Sequence, residues 1–358
     1  MKTWKIGLAG CGGIAEAVYL PYITRFPNME MAAVCDIIPE RAKTYSKKYK
    51  VPNWYASVEE MLDKCDIDIV MDTATIQAHY DINMAALRAG KHLYSQKPVG
   101  LTVEQVTDMI NTAQSAGVKF SASPIHMIRP DIRWAQHMIR DGAIGEVTMV
   151  RASMAHGGPE YFQFREVDPT WFFRPGAGAL YDMGVHALHC VTGLLGPAKA
   201  VACMSRVSEP RRTVRSGAFD GKPIDSDQLD DNYIITLDFG RGMGLIDTGF
   251  CIKAYRTPSI EIYGTMGTIS FTDDRKNPLK VYADIPERGI RGWIDPMLME
   301  RFDLDFFQCL CMKDLVDAIE QDRPVGLAPE HARHVVEIMC KIPVASQNHT
   351  LETLETTF

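Results

Sequence analysis

The sequence predicts an α/β protein of two domains: an N-terminal parallel sheet covered by helices, then an α/β domain built on an open, mostly antiparallel sheet. Three observations carry that expectation. Short apolar runs alternate with helical stretches through the first 125 residues, which specifies parallel strands with covered faces. Beyond that point apolar runs follow one another across glycine turns, as antiparallel strands do. A glycine-rich turn, Gly10–Ala15, also stands between the first strand and the first helix. The domains are therefore expected to be 1–125 and 126–358.

The elements follow in chain order. Lys5–Gly10 and Met29–Asp36 read as strands, with a helix from about Ile14 to Arg25 between them. Pro39–Lys48 is polar and helical, and Ser57–Leu62 is a short helix behind a capping serine. Ile67–Met71, His92–Ser95 and Val118–Ser121 are strands, separated by helices His79–Ala89 and Thr102–Ala116 that end on Gly90 and Gly117. Ile132–Arg140 is a further helix. Strands are then expected at Val147–Met154, Ala198–Ser205, Tyr233–Phe239, Gly244–Phe250, Ile260–Tyr263 and Thr268–Phe271. Two helices close the chain, Phe302–Gln321 and Pro329–Ala345, and Pro343 is expected to kink or stop the second. Between Arg206 and Asp231 runs a polar stretch, first basic (Arg211, Arg212, Arg215) and then acidic (Asp220, Asp225, Asp227, Asp230, Asp231), read as a solvated loop, a lid or a subunit contact.

Composition bounds the function. The chain has 358 residues, 46% of them hydrophobic and 23% charged, and a net charge of −7. Such a balance argues against a general nucleic-acid binder, which shows a basic face. No run approaches the roughly 18 apolar residues that span a bilayer. Met1–Lys5 leads straight into the first strand, so no leader is expected. The nine scattered cysteines are expected to be reduced thiols of a cytoplasmic protein.

Gly10-Cys11-Gly12-Gly13-Ile14-Ala15 fits G-x-G-x-x-A between a strand and a helix. Gly10 allows the tight turn, Gly12 admits a pyrophosphate close to the backbone, and Ala15 lets helix and strand pack closely. The amides of Gly12, Gly13 and Ile14 open the helix and face the phosphates. Asp36 ends the second strand at the spacing of the acid that accepts from the adenosine ribose hydroxyls. Its charge repels a 2′-phosphate and Ile37 supplies no cation, so NAD is expected rather than NADP.

Lys97, in Ser95-Gln96-Lys97-Pro98, follows the fourth strand and sits at the carboxyl edge of the sheet, where ligands of such sheets bind. Asp182 and His186 stand four apart on a helix entered through Gly176 and Gly178, with His189 one turn on. A histidine can accept a proton near neutral pH, an aspartate can orient that histidine, and a lysine can stabilise a developing negative charge.

These residues, together with Ala89-Gly90-Lys91-His92, Ile144-Gly145-Glu146-Val147 and Glu261–Thr268, resemble the Gfo/Idh/MocA oxidoreductase family along nearly the whole chain. The resemblance implies an N-terminal Rossmann domain and a C-terminal domain whose open sheet serves oligomerisation, as a homodimer or homotetramer. It also implies NAD(P)-dependent oxidation or reduction of a sugar, glycoside or polyol carbon. Lys97 corresponds to the lysine of the family's E-K-P, and Asp182 and His186 to its substrate-binding and acid/base pair; whether Lys97 or His186 is the immediate base is left open. Gln96 replaces the glutamate of E-K-P, which implies either a lower-titrating Lys97 or a differently organised nicotinamide pocket. His79 is retained in Thr73–His79, where the family's Pro and Asn are not, and it is expected with Gln96 among the cofactor contacts.

His126, Arg129, His156, Trp171, Arg174 and His189 are the candidates for substrate contact, each also open to a structural role. Trp171 suits stacking on a sugar ring and Arg174 binding of a hydroxyl or phosphate. A metal held by His186, His189 and Asp182 or His156 is the alternative for that helix, but no metal is expected, because hydride transfer to NAD needs none. His331 and His334 are taken as surface histidines. Two other functions stay open: glycoside hydrolysis through transient oxidation, and a non-catalytic NAD-binding regulator.

Overall fold

The computed structural model describes residues 2–161, 168–274, 277–296 and 307–358. The chain divides into two units: Met1–Ile128 with Phe302–Val336, and Arg129–Arg301 with Glu337–Phe358. The first unit thus takes in a late stretch that sequence reasoning assigns to the second domain.

The sheet of the first unit holds β1 (Trp4–Ala9), β2 (Met29–Cys35), β3 (Asn53–Tyr55), β4 (Ile69–Asp72), β5 (His92–Ser95) and β6 (Phe120–Ala122). All pairs are parallel and the order is β3-β2-β1-β4-β5-β6. β3 is new; three residues are too few to show a period. Helices α1 (Pro39–Tyr49), α2 (Val58–Lys64), α3 (His79–Arg88) and α4 (Val103–Ala116) connect the strands. Ser57 and Thr102 cap α2 and α4 by accepting from the Glu60 and Gln105 amides, each cap contributing about 1 kcal/mol. Gly117, at φ 65°, ends α4 in the left-handed conformation that glycine adopts without a Cβ clash.

The expected helix Ile14–Arg25 is instead a π-helical turn, Ala15–Tyr19, and a separate 3₁₀ turn, Ile23–Arg25. The wider turn accompanies complete burial of Tyr19, whose hydroxyl meets that of Tyr94 at 2.8 Å.

In the second unit α5 (Pro130–Arg140) precedes β7 (Val147–Ala155), and α6 (Val185–Leu195) precedes β8 (Ala200–Arg206). A small hairpin, β9 (Arg211–Thr213) and β10 (Pro223–Asp225), lies within the polar stretch. Next come β11 (Asn232–Asp238), β12 (Met243–Gly249), β13 (Ile260–Gly264), β14 (Gly267–Phe271), β15 (Leu279–Ile285) and β16 (Ile290–Ile294). With β17 (Glu352–Thr353), the described strands form a sheet in the order β16-β15-β14-β13-β7-β12-β11-β8-β17. Every neighbouring pair is antiparallel except β7 and β12. Along β11, Tyr233, Ile235 and Leu237 are buried while Ile234, Thr236 and Asp238 are exposed, the period-2 signature of a sheet covered on one face. α6 lies against β7 and β12 on that covered face.

Two helices close the chain. α7 (Leu310–Glu320) stands where Phe302–Gln321 was expected, residues 302–306 lying outside the described ones. Its Met312, Leu315 and Val316 join Ile6, Leu8, Tyr19 and Tyr94 in one core. α8 (Pro329–Asn348) does not stop at Pro343. Ile338, Met339, Ile342 and Ala345 are all buried on it, and Ser346 Oγ accepts from the Ser205 amide at 2.9 Å. That packing outweighs the loss of one helical hydrogen bond. His331 and His334 are buried rather than on the surface, which corrects the sequence reading.

Candidate functional site

The carboxyl edge of the first sheet is laced one residue beyond its strands. The Gly10 amide donates to Cys35 O, Thr73 to Ala9 O, Gln96 to Asp72 O and Ser123 to Ser95 O, at 2.8–3.0 Å. Three candidate segments, Gly10–Ala15, Thr73–His79 and Gln96-Lys97, thereby leave neighbouring strands side by side. The strand order reverses between β1 and β4, which is where open α/β sheets bind ligands.

Gly10 has φ 94°, and a Cβ there would fall 2.6 Å from the Ala74 backbone, so only glycine fits. Around Gly12 a Cβ would meet nothing within 4 Å; the backbone faces open space, as a pyrophosphate cradle must. Asp36 is buried, with one carboxylate oxygen accepting from the Cys11 amide and the other from Ile38, both at 2.8 Å. The acid therefore holds the glycine turn itself, and a carboxylate has acceptor capacity left for ribose hydroxyls. Ile37 beside it is 89% exposed. Arg41, exposed in the first turn of α1, was missed in the sequence, although its charge acts on the Cys11 thiol. These residues fit a dinucleotide.

His79 does not reach the ligand edge as an exposed contact. Its Nδ1 lies 2.6 Å from Asp72 Oδ2 with both side chains buried, while Asp72 Oδ1 accepts from the Ala74 amide. The pair braces the loop that meets Gly10. Gln96 is likewise buried, its Nε2 donating to the Tyr19 hydroxyl and its Oε1 accepting from the Lys97 amide. Burial pushes the Tyr19 and Tyr94 phenols well above their ordinary pKa, so the amide sits among neutral groups and fixes the backbone of Lys97. Lys97 itself is half-buried, and His126 is buried in a 3₁₀ turn.

In the second unit Asp182 lies on a π-helical turn, Leu180–Gly184, and His186 in the first turn of α6. His156 directly follows β7, and its Nε2 stands 3.6 Å from Asp182 Oδ2. The His156 ring stacks on Phe250 with centroids 5.0 Å apart, and its Nδ1 accepts from the Gly158 amide at 2.9 Å. His189 is buried, His186 half-buried, and Arg174 exposed. Trp171 stacks on Phe172. Arg129 makes a two-pronged bond to the buried Asp131 at the start of α5, which turns its guanidinium to its own helix. Among the described residues no group of three or more His, Cys, Asp or Glu side chains is placed to hold a metal ion. None of the nine cysteines is in a disulfide, and no described helix is long and apolar enough to cross a membrane.

Residues 4–123 match the model of the oxidoreductase family with an NAD-binding Rossmann fold, and residues 132–270 match the Gfo/Idh/MocA C-terminal domain. The chain belongs to the Gfo/Idh/MocA family. It is an NAD(P)-dependent oxidoreductase. An inositol 2-dehydrogenase/D-chiro-inositol 3-dehydrogenase of Lactiplantibacillus plantarum is 31% identical over 90% of this chain and 85% of its own length. The D-glucoside 3-dehydrogenase of Escherichia coli is 26% identical over 78% of this chain and 79% of its own. Among solved structures, an NAD-binding oxidoreductase from Klebsiella pneumoniae superposes with a TM-score of 0.86 at 23% identity, covering 99% of this chain and 100% of that one.

Besides Arg41, sequence reasoning missed the surroundings of two buried residues, Tyr19, which binds Gln96, and Arg212, which is held by Glu160 and Asp231. Tyr19 carried no signal, since one tyrosine on a helix reads as core. Arg212 did carry one, a basic residue in a stretch rich in acids, but that pattern also describes a solvated loop.

Proposed function

We propose that the protein is an NAD-dependent dehydrogenase that oxidises a secondary hydroxyl of a sugar, glycoside or inositol. The observation that carries the substrate class is the 31% identity to an inositol dehydrogenase across 90% of the chain. The preference for NAD over NADP rests on Asp36, whose carboxylate is held by two backbone amides and whose charge would repel a 2′-phosphate.

In this reading bound NAD would supply the hydride acceptor for the substrate carbon, and the chain's own residues handle the proton. Gly10, Gly12, Gly13, Ile14 and Ala15 form the pyrophosphate turn; His79 and Gln96 act behind it, bracing the Asp72 loop and the Lys97 backbone. Lys97 stabilises the developing alkoxide, and Asp182 with His186 binds the substrate and takes up its proton. His156 stands with Asp182 as a second imidazole of the substrate side. The exposed face of the second sheet carries Met204, Ile234 and Met243 on three adjacent strands, which supports assembly with a second copy of the chain.

The test is NADH formation by the purified protein with myo-inositol, D-glucose and alkyl glucosides, with NADP in parallel. Turnover of at least one of them with NAD is expected. NAD binding without turnover of any would overturn the dehydrogenase reading, and release of an aglycone without net NADH would point to hydrolysis.

A further inference from the structure

Arg212 occupies the centre of the polar stretch, and its side chain is almost wholly buried. Its Nη1 donates to Glu160 Oε1 at 2.7 Å and to Phe250 O at 3.0 Å; its Nη2 donates to Asp231 Oδ2 at 2.7 Å. Glu209 stands 3.2 Å away as a third carboxylate, and the guanidinium lies over the Phe173 ring. Three acids thus surround one buried cation, the pairing that burying a guanidinium demands.

The two sides of this grip meet at His156. On one side Glu160 and Arg212 close on Gly158, where a Cβ would fall 2.3 Å from Glu160 Oε2 and 2.7 Å from Arg212 Nη1. Gly158, at φ 107°, is the residue whose amide donates to His156 Nδ1. On the other side Arg212 holds the carbonyl of Phe250, and the Phe250 ring stacks on the His156 imidazole. The His156 amide itself donates to Gly249 O at 3.1 Å. With Nδ1 occupied as an acceptor, a neutral imidazole carries its proton on Nε2, the nitrogen that faces Asp182.

We propose that Arg212 is a positioning residue that fixes the orientation and tautomer of His156 through Glu160, Gly158 and Phe250. It deepens the dehydrogenase reading and rests on it only for the place of His156 in the site. Arginine serves here because its planar fork grips two carboxylates and a carbonyl at once, which an ammonium point charge does not.

The test reads the ring directly, without substrate. Full-length protein saturated with NAD is labelled with 15N-histidine, and His156 is assigned by the signal lost in His156→Asn. At pH 8 wild type is expected to show one tautomer, with Nε2 protonated and Nδ1 accepting a hydrogen bond. Arg212→Lys is expected to lose the single-tautomer signature. So is Glu160→Ala, which leaves Arg212 paired with Asp231 and so keeps the proposal testable if Arg212→Lys does not fold. A wild-type ring protonated on Nδ1, or an unchanged tautomer in a folded variant, overturns the proposal. Absence of dehydrogenase activity would leave this readout intact, so the two failures are distinguishable.

Discussion

Nε2 of His156 lies 3.6 Å from Oδ2 of Asp182, bringing together two residues 26 positions apart, one directly after β7 and the other on the π-helical turn before α6. That pairing gives Asp182 a histidine partner from outside its own helical segment. Asp182→Asn preserves size and hydrogen bonding but removes the charge. We expect kcat to fall about 10²-fold or more, the order of a lost acid–base element, with KM for NAD unchanged. Initial rates of NADH formation check this; kcat within about twofold of wild type would remove Asp182 from the proton path.

Asp36 anchors the Cys11 and Ile38 amides, and in the proposed reading its charge repels a 2′-phosphate. Asp36→Ala should therefore raise KM for NAD by roughly 10-fold or more, the scale of a lost charge-assisted hydrogen bond. With Arg41 left nearby on α1, it should also narrow the gap between NAD and NADP. The ratio of kcat/KM for the two cofactors is the measurement, and an unchanged ratio contradicts the assigned role.

Gln96 offers a direct charge test. In Gln96→Glu a carboxylate replaces the buried amide that binds the Tyr19 hydroxyl and the Lys97 backbone, and a charge placed there should change the pH–rate profile. A superimposable profile would show that the residue beside Lys97 does not act on the measured step.

Burial, aided by His334, pushes His331 down to about 3. In the unfolded chain it titrates near 6.5, so below that pH only the unfolded state takes up the proton. The stability it contributes is complete above pH 6.5 and declines as pH falls toward 3, by up to about 1.4 kcal/mol per unit. Urea unfolding at pH 7 and pH 5 should therefore differ by about 2 kcal/mol from this group, and His331→Gln should flatten that difference. An equal slope in the variant would contradict the assignment.

The first sheet was legible because its signals are local. Gly10, Asp36 and the capping residue Ser57 announce themselves by type and spacing, and Val70, Met71, Leu93 and Tyr94 are apolar because covered parallel strands are buried on both faces. β3 was too short to register. Pro343 was over-read, because the packing that carries α8 past it is set by distant residues.

What the sequence determined by itself was the parallel first sheet, the glycine turn with its acid, and the mostly antiparallel sheet that follows. These depend on side-chain period and on backbone freedom within a few neighbours. Tertiary structure alone decided that Phe302–Val336 belongs with the first unit, that His79 binds Asp72, that Gln96 binds Tyr19, and that Arg212 is buried among acids. Each of these is a buried polar or packing contact between segments remote in the chain. Its free energy depends on desolvation and on a partner's position, and neither is written in the local order of residues.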